Sequence, residues 1–441
     1  MPSNQNPLGA LPARFRRQRL LIIGCGDIGL RVARGLRSRL QVLALTQSPE
    51  RVPALRAAGI GSPTLIWDKA RSEHNLRTIA DQVGERKHLR IVAKSLPCLN
   101  LLEHTAKAWH TQRLMVFNYP MLLTLAQFMP QTDLLLGKPL SAVELPNFFT
   151  RLSQTRAAEF NPERQIQWLV DTPETLQAYL QFARAQGKTL RLNIEIDVGL
   201  HRGGVTHTET LNTMLDMISN EPLAQFSGLM GYDAHIVKVP NLLHNRAHTE
   251  AHAKALYREF REFALRHPAS RLAPEQLTLN TAGSPTYRLH LDNPDVNELA
   301  IGSAVVKPSD FDTELLSDLQ AALFIAAPIL KVGEFSLPYG AQTVSQLIQK
   351  WDVNQRQSVI IHGGEWRAQV ASPEGVRSSE LYGPSTNQKV LTAAPNFACR
   401  AGDYVFFRPT QSEMLMLQFG ALAVYDQGRI SEQWPVFPAS A

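Results

Sequence analysis

Cysteine is scarce in this sequence of 441 residues: Cys25, Cys98 and Cys399 stand far apart. This spacing excludes a disulfide framework and a zinc site made of cysteine pairs, and it is typical of a reducing compartment. Long apolar runs are also missing, because the short run at residues 20–23 is followed closely by two glycines and Asp27. A membrane span needs about 20 apolar residues, and no signal-peptide cleavage pattern follows the run. We therefore predict a soluble, cytoplasmic protein without a membrane partner.

Neither sign of charge dominates the composition. Charged residues make up 19% of the chain, and the net charge of +6 is modest for this length. Basic residues cluster only at 14–19, a short run that is more typical of a solvated segment than of a nucleic-acid-binding arm. The composition therefore suits an enzyme for small anionic molecules and predicts no nucleic-acid partner. Because 441 residues exceed one ordinary core, we expect two or three domains.

A glycine motif lies near the beginning of the chain. Gly24, Gly26 and Gly29 form the order GxGxxG between an apolar run and a stretch with helical spacing. Such glycines let backbone N–H groups approach a pyrophosphate, and the segment resembles the opening of Rossmann-type NAD-binding proteins. Thr46 stands where an acidic ribose ligand is expected, and the similarity covers only about residues 19–60. We favour a structural appendage, with a nucleotide-binding module as the alternative.

Short β-branched runs alternate with amphipathic helical stretches from residue 61 onward. The helical stretches include Thr172–Gln186 and Thr206–Ser219. Eight strands with crossover helices in this length are what a (β/α)8 barrel needs, and an open doubly wound sheet is the alternative. The predicted strands are Leu89–Ser95, Leu114–Asn118, Asp133–Gly137, Gln167–Asp171, Leu190–Gly199, Ser227–His235, Leu277–Gly283 and Glu298–Val305.

The helical alternation fades after about residue 313. Later apolar runs are separated by Gly, Pro and Ser turns, which predicts an all-β terminal domain. The predicted domains are a Rossmann-like βαβ fragment at 1–60, the barrel at 61–312 and the C-terminal β domain at 313–441. The strands predicted for the last domain are Ala326–Val332, Ser358–His362, Tyr404–Arg408 and Leu415–Tyr425.

Several residues suited to chemistry fall at the predicted strand ends, where a barrel holds its active site. Lys94 ends an apolar strand, so it needs a partner, a lowered pKa or a covalent role unless its amine reaches the surface. Glu195 and Asp197 alternate with apolar residues and therefore share one face of the fifth strand, which the barrel interior can supply. Gly283 and Ser284 belong to a glycine, serine and threonine turn typical of a phosphate cradle.

These motifs together resemble the D-threonine aldolase and D-serine dehydratase-like family, which shares the alanine-racemase-type barrel of fold type III. Members of that family use pyridoxal phosphate. The motifs follow in the family's order across about residues 61–430, and the stretch Asp197–Val205 is the most specific of them. The matching pieces are Ser62–Asp68, the strand ending in Lys94, Asp197–Val205, Gly228–His235, Gly283–Tyr287 and Gly302–Ser303.

The resemblance implies a role for each matching residue. Lys94 would bind pyridoxal phosphate covalently and act as a base at the substrate Cα. Arg202 would meet the pyridine nitrogen, where a cationic donor limits how much carbanion character the ring absorbs. His201 and Tyr232 would assist acid–base chemistry opposite Lys94, while His235 is either a further contact or a structural histidine. The residues implied to contact the cofactor are Lys94, Arg202, Tyr232, Asn280, Gly283, Ser284 and Ser303.

The chain departs from the family at the metal ligands. Metal-dependent members carry His, then Cys or Asp two residues later, where this sequence has Gln411 and Glu413. Glutamine is a poor zinc ligand and one carboxylate does not make a site, so we predict no metal. A hard divalent ion bound through Glu413 is the alternative. Without a metal, Glu413 or His362 would supply a protein base.

The resemblance implies a pyridoxal phosphate-dependent lyase, an aldolase or a dehydratase, that acts on D-β-hydroxy amino acids such as D-threonine or D-serine. An amino-acid racemase, which needs two bases on opposite faces of the substrate, is the alternative. A non-catalytic pyridoxal phosphate carrier is disfavoured, because such relatives usually consist of the barrel alone. Relatives of this fold are commonly dimers, so we expect a homodimer with a small amino acid as its substrate.

Overall fold

The computed structural model describes residues 51–155, 159–239, 245–379, 381–383, 385–395 and 397–438, with the backbone of 19–23 and 41–45. Strands β1 (Arg19–Ile23) and β2 (Gln41–Leu45) pair in parallel. The predicted glycine turn, the helix after it and Thr46 lie outside the described residues. The chain forms two compact units. Of the described residues, the barrel unit takes those in 65–323, 409–426 and 431–438, and the second unit takes those in 324–408, 427–430 and before 65.

Eight parallel strands close into a barrel in the first of these units, as the sequence predicted. Each strand pairs with the next along the chain, and the last returns to the first, so a doubly wound sheet is excluded. The strands are β4 (His88–Val92), β5 (Arg113–Val116), β6 (Asp133–Leu136), β7 (Ile166–Val170), β8 (Leu190–Ile196), β9 (Ala224–Gly231), β10 (Thr278–Thr281) and β11 (Glu298–Ile301). Outside the barrel, β3 (Thr64–Asp68) pairs in parallel with β18 (Ala421–Asp426), and β19 covers Arg429–Pro435.

Helices connect the barrel strands and begin where the sequence supplies caps. The helix predicted to begin at Thr172 has that residue as its N-cap, whose hydroxyl accepts a hydrogen bond from the Thr175 N–H, and Gly187 ends it in the left-handed conformation. The barrel-unit helices are α2 (Lys69–Val83), α3 (Leu99–Ala108), α4 (Tyr119–Phe128), α5 (Glu144–Ser153), α6 (Pro162–Gln165), α7 (Pro173–Gln186), α8 (Thr208–Ser219), α9 (Arg246–Arg266) and α11 (Glu413–Met416). Short 3-10 turns cover Ala93–Ser95, Ala234–Val237, Pro274–Gln276, Tyr287–His290, Ser303–Val305, Ser309–Phe311 and Glu314–Leu316.

Alternation along each strand decides which side chains fill the barrel. On β8, Leu192 and Ile194 are fully buried, whereas the Asn193 amide donates to the carbonyl oxygen of Thr278 on β10, two strands away. Asn193 therefore lies on the inner face, and the period of two places Glu195 on the same face nearer the strand's end. The inner-face position predicted for Glu195 is thereby confirmed, whereas Asp197 lies just after the end of β8 at Ile196.

An ionic layer fills the barrel near the beginnings of its strands. Arg90 is fully buried, and its guanidinium donates to Glu298 Oε1 at 2.5 Å and to Asp133 Oδ1 at 2.7 Å. Arg113 Nη1 pairs with Glu298 and Arg191 Nη1 with Asp133, both at 2.9 Å. Despite burial, the arginines lower the pKa of Asp133 to about 2. This layer was not predicted from the sequence.

The second unit is built on antiparallel strands, which confirms the predicted β domain, and it also contains two helices. Strand β12 pairs with β13 and with β17, β16 pairs with β13 and β15, and β14 pairs with β17. The strands are β12 (Leu323–Glu334), β13 (Gln357–His362), β14 (Ala368–Ser372), β15 (Arg377–Ser378), β16 (Gln388–Ala393) and β17 (Tyr404–Pro409). The helices are α1 (Val52–Ala57) and α10 (Gln342–Trp351), with a 3-10 turn at Val353–Gln355. The predicted boundaries at 60 and 312 stay predictions.

One predicted strand is wrong in its first part. The run Leu415–Tyr425 was predicted as a single strand, but α11 ends at Met416 and β18 begins only at Ala421. Apolar content alone does not distinguish a short helix from a strand. The helical turn matters for function, because it begins at Glu413.

Candidate active site

Lys94 lies just beyond the C-terminal end of β4. The strand ends at Val92, three residues before the predicted end at Ser95, and Lys94 occupies the 3-10 turn that follows. Its ammonium group lies 4.1 Å from the centre of the Phe117 ring and 3.7 Å from Glu413 Oε2. The side chain is 39% exposed, so the amine is accessible to a small molecule.

Glu413 reaches Lys94 because its segment is fixed against the barrel. The Asp310 N–H donates to the Thr410 carbonyl at 3.2 Å, and the buried Ser412 hydroxyl donates to Ser303 Oγ at 3.2 Å. These contacts hold the beginning of α11 beside the turn that follows β11. The sequence indicated Glu413 as a candidate base, but not its position.

Two glycines allow close packing at the ends of β10 and β11. A Cβ on Gly283 would lie 2.8 Å from Tyr232 Cε2, and one on Gly302 would lie 2.8 Å from the Val92 carbonyl oxygen, so neither position accepts a side chain. The Ser284 hydroxyl accepts hydrogen bonds from the Gly302 and Ala304 N–H groups at 3.1 and 3.0 Å. Two neighbouring loops are thereby tied together.

The same loops carry backbone donors suited to a phosphate. Within the described residues, the N–H groups of Ser284 and Ser303 have no hydrogen-bond partner. Beneath them, the Thr286 hydroxyl donates to the buried carboxylate of Asp233 at 2.6 Å and accepts from the Gly283 N–H at 3.3 Å. The other Asp233 oxygen contacts His290. These hydrogen bonds hold the loop in place. Asp233 and His290 were not predicted as parts of the site.

Arg202 and Tyr232 lie together, as predicted for cofactor contacts. The Arg202 guanidinium carbon lies 5.0 Å from the centre of the Tyr232 ring, within the range of a cation–π interaction. Burial raises the pKa of the Tyr232 phenol, and the positive charge of Arg202 opposes that rise. Tyr232 is therefore a neutral hydrogen-bond donor at neutral pH.

His201 leaves the strand beside Arg202 and is oriented by Asp197. His201 Nδ1 lies 2.7 Å from Asp197 Oδ2, and the Gly199 and His201 N–H groups donate to Asp197 Oδ1. These hydrogen bonds outweigh the effect of burial and lower the pKa of Asp197. The His201 side chain is 80% exposed, so it is accessible to a ligand and is not packed in the core.

Glu195 and Asp171 form a carboxylate pair beneath Gly203. A Cβ on Gly203 would lie 3.7 Å from Glu195 Oε2 and 3.8 Å from Asp171 Oδ2. Burial, and next the neighbouring Asp171, raise the pKa of Glu195 to about 7, while Arg202 opposes the shift. Glu195 is therefore partly protonated near neutral pH, and it interacts electrostatically with the predicted cofactor contact Arg202.

This raised pKa makes stability depend on pH. A carboxyl with an ordinary pKa of 4.5 and a folded-state pKa of about 7 contributes stability below pH 4.5 that is lost as the pH rises toward 7. We expect Glu195→Gln to remove this loss and to be more stable than the parent protein at pH 8 by about 1–3 kcal/mol, with little gain at pH 5. Urea unfolding at pH 5 and pH 8 measures the difference in the free energy of unfolding between variant and parent. The exposed Glu259→Gln serves as the control. Equal gains at the two pH values would contradict the assignment.

Other residues predicted from the sequence lie elsewhere. Asn280 is fully buried in the barrel, where its amide donates to Glu298 Oε1 at 2.9 Å in the ionic layer. His235 lies beside Gly199, and its Nδ1 atom is buried without a hydrogen-bond partner among the described residues. His362 is the last residue of β13 in the second unit.

Across the described ranges, no group of three or more His, Cys, Asp or Glu side chains is arranged to hold a metal ion. In the same part of the chain, every helix is too short or too polar to cross a bilayer. Gln411 is exposed, and Glu413 contacts Lys94.

The closed parallel barrel, with reactive side chains gathered at the C-terminal ends of its strands, defines a barrel protein with a small-molecule site. The family model described as alanine racemase, N-terminal domain, matches residues 67–310, more than half of the chain. The chain therefore belongs to the alanine racemase N-terminal domain family, which consists of pyridoxal phosphate-dependent enzymes. A comparison with curated protein sequences found no match.

Solved structures of both lyases and racemases share this fold. D-threonine aldolase from Filomicrobium marinum is 19% identical with a TM-score of 0.67, and the match covers 86% of this chain and 95% of that one. D-threo-3-hydroxyaspartate dehydratase from Delftia sp. HT23 is 16% identical with a TM-score of 0.64, over 86% and 98%. Alanine racemase from Corynebacterium glutamicum is 14% identical with a TM-score of 0.57, over 82% and 93%. These similarities confirm the predicted fold type III relationship and leave the reaction open.

Proposed function

We propose that this protein is a pyridoxal phosphate-dependent lyase that acts on D-β-hydroxy amino acids, with Lys94 as the residue that attaches the cofactor. The observation that carries the proposal is the position of Lys94, an accessible amine 3.7 Å from Glu413 at the C-terminal end of the barrel. An amine and a carboxylate in this arrangement are suited to proton transfer at two neighbouring atoms of one substrate.

The residues around Lys94 fit the cofactor. The unpartnered N–H groups of Ser284 and Ser303 are donors for its phosphate, and the glycines beside them leave room for close approach. Arg202, exposed and stacked on Tyr232, is the donor for its pyridine nitrogen. When bound, pyridoxal phosphate supplies the electron sink that stabilises negative charge at the substrate Cα.

Different residues of the site carry out the different proton transfers. Lys94 holds or delivers the proton at Cα. Glu413 accepts the proton of the β-hydroxyl in aldol cleavage, or donates one to the departing hydroxyl in dehydration. Tyr232, kept neutral by burial, orients the substrate with its phenol O–H. The Asp197–His201 pair adds a proton carrier at the solvent side.

A racemase is the second candidate, because the matching family model is that of alanine racemase and a structural relative is one. Racemisation needs a second base on the face opposite Lys94, and Tyr232 is the residue proposed for it. We also propose a homodimer in the cytoplasm, as the family resemblance implies.

A substrate panel separates the two reactions. We expect purified protein incubated with pyridoxal phosphate to release an aldehyde or a 2-oxo acid from D-threonine, D-serine or D-3-hydroxyaspartate. The L-enantiomers and D-alanine serve as controls, because D-alanine lacks the β-hydroxyl on which Glu413 acts. Inversion of alanine without product release would support the racemase and contradict the lyase.

A further inference from the structure

A cavity lies at the opposite end of the barrel from Lys94. It has a volume of about 860 Å³ and is lined at the strand beginnings by His88, Arg113, Asp133, Arg191 and Thr278. Lys94 follows the other end of β4, so the two sites are separated by the length of this five-residue strand, about 15 Å. We name this cavity the floor pocket.

The lining of the floor pocket is polar almost throughout. Of its fourteen residues only one, Ala106, is neither polar nor charged. A pocket for an apolar ligand is lined mainly by aliphatic and aromatic side chains, so such a ligand does not fit here. The volume lies within the range for small-molecule sites, about 300–1,000 Å³, and exceeds what one inorganic ion fills.

Positive charge is in excess in the floor pocket. Lys107, Arg113 and Arg191 line it against a single carboxylate, that of Asp133. Both oxygens of this carboxylate are already occupied, one by Arg90 and the other by Arg191. The positive field is also felt at His88, whose pKa is lowered by burial and then by Arg113.

Several cationic donors remain available. Arg113 uses only Nη1 for Glu298, and Arg191 uses only Nη1, for Asp133 and a backbone carbonyl. Their other guanidinium nitrogens and the exposed Lys107 ammonium have no protein acceptor within the described residues. Guanidinium groups with free N–H pairs match the oxygens of phosphate in geometry and charge.

We propose that the floor pocket binds a phosphorylated small molecule, with its phosphate between Arg113, Arg191 and Lys107. The N-terminal end of a barrel ordinarily serves stability, and Arg90 with its two carboxylates fills that role here. The remaining donors of Arg113, Arg191 and Lys107 are not needed for that stabilising role. The proposal does not depend on the reaction at Lys94.

Titration calorimetry with inorganic pyrophosphate tests this site. The full chain is first saturated with pyridoxal phosphate, so that a phosphate cradle near Lys94 does not compete, and ionic strength is held constant. We expect saturable binding of one pyrophosphate per chain. Lys107→Gln should weaken the binding about threefold to tenfold and Arg191→Gln about tenfold or more, because charge-assisted hydrogen bonds are stronger than neutral ones.

Matched controls keep the result interpretable. The exposed Lys350 on α10 of the second unit loses the same charge in Lys350→Gln, which should bind as the parent does. Lys107→Gln removes an exposed side chain and should keep the parent's unfolding midpoint, so its effect is on binding alone. Absence of saturable binding, or parent-like affinity in both pocket variants, would overturn the proposal. Citrate that binds as tightly as pyrophosphate would overturn the phosphate assignment.

Discussion

Replacing Lys94 with alanine is expected to abolish covalent attachment of pyridoxal phosphate and to reduce turnover by a factor on the order of 10⁴, the upper range for a lost acid–base group. The amine is accessible, lies against the Phe117 ring and faces Glu413, and no other lysine is predicted to attach the cofactor. Borohydride reduction of the loaded protein followed by peptide mass spectrometry locates the attachment directly.

Lys138 provides a stringent control for this experiment. It is exposed and follows β6 at the same end of the barrel, so it meets the same reagents as Lys94. We expect the reduced cofactor on the Lys94 peptide and none on the Lys138 peptide, and Lys138→Ala should retain attachment. Label on Lys138, or attachment that persists in Lys94→Ala, would remove Lys94 from its proposed role.

The barrel could be predicted from sequence because its signals are local. Each strand is a short apolar run bounded by turn residues, and capping residues such as Thr172 mark where helices begin. The observed strands therefore fall within a few residues of the predicted ones, except at the C-terminal ends. There, runs such as Leu89–Ser95 continue as apolar sequence while the chain already turns, as it does at Val92.

The ionic layer and α10 were missed for opposite reasons. Arg90 interrupts an apolar strand, and inner-face alternation would have placed it opposite Glu298, so a signal existed in the pattern. The helix Gln342–Trp351 has its apolar residues Leu347 and Trp351 exposed, at 66% and 87%. The prediction of a β domain overlooked this helix because no side-chain cap marks its beginning at Ala341.

Sequence reasoning cannot show which distant side chains come into contact at the site. Lys94 and Glu413 lie at opposite ends of the chain, and their contact depends on the Ser412–Ser303 hydrogen bond that holds α11 against the barrel. The same holds for the Asp171 carboxylate, which had no marker beyond its place after a strand and yet raises the pKa of Glu195. Tertiary packing creates both pairs.

Replacing Glu413 with glutamine should separate proton transfer from binding. The amide keeps the size and polarity of the side chain but cannot accept a proton at neutral pH, so we expect kcat on D-threonine or D-serine to fall by about 10²–10³-fold with KM changed less than threefold. Covalent attachment of the cofactor at Lys94 should persist. Glu413→Asp, which keeps the carboxylate, should recover part of the activity, and Glu259→Gln on the exposed face of α9 should retain all of it.

Glu413 occupies a position where metal-dependent members of the family are expected to have a ligand. The family resemblance implies a metal-ligand pair where this chain has Gln411 and Glu413, and we propose that Glu413 handles the β-hydroxyl instead. If Glu413 is that base, activity should persist in the presence of a chelator and should fall in Glu413→Gln. Full activity in Glu413→Gln together with complete loss on chelation would instead assign the step to a metal.

Because Ser412 fixes the carboxylate beside Lys94 through Ser303, Ser412→Ala should reduce kcat without removing either ionisable group.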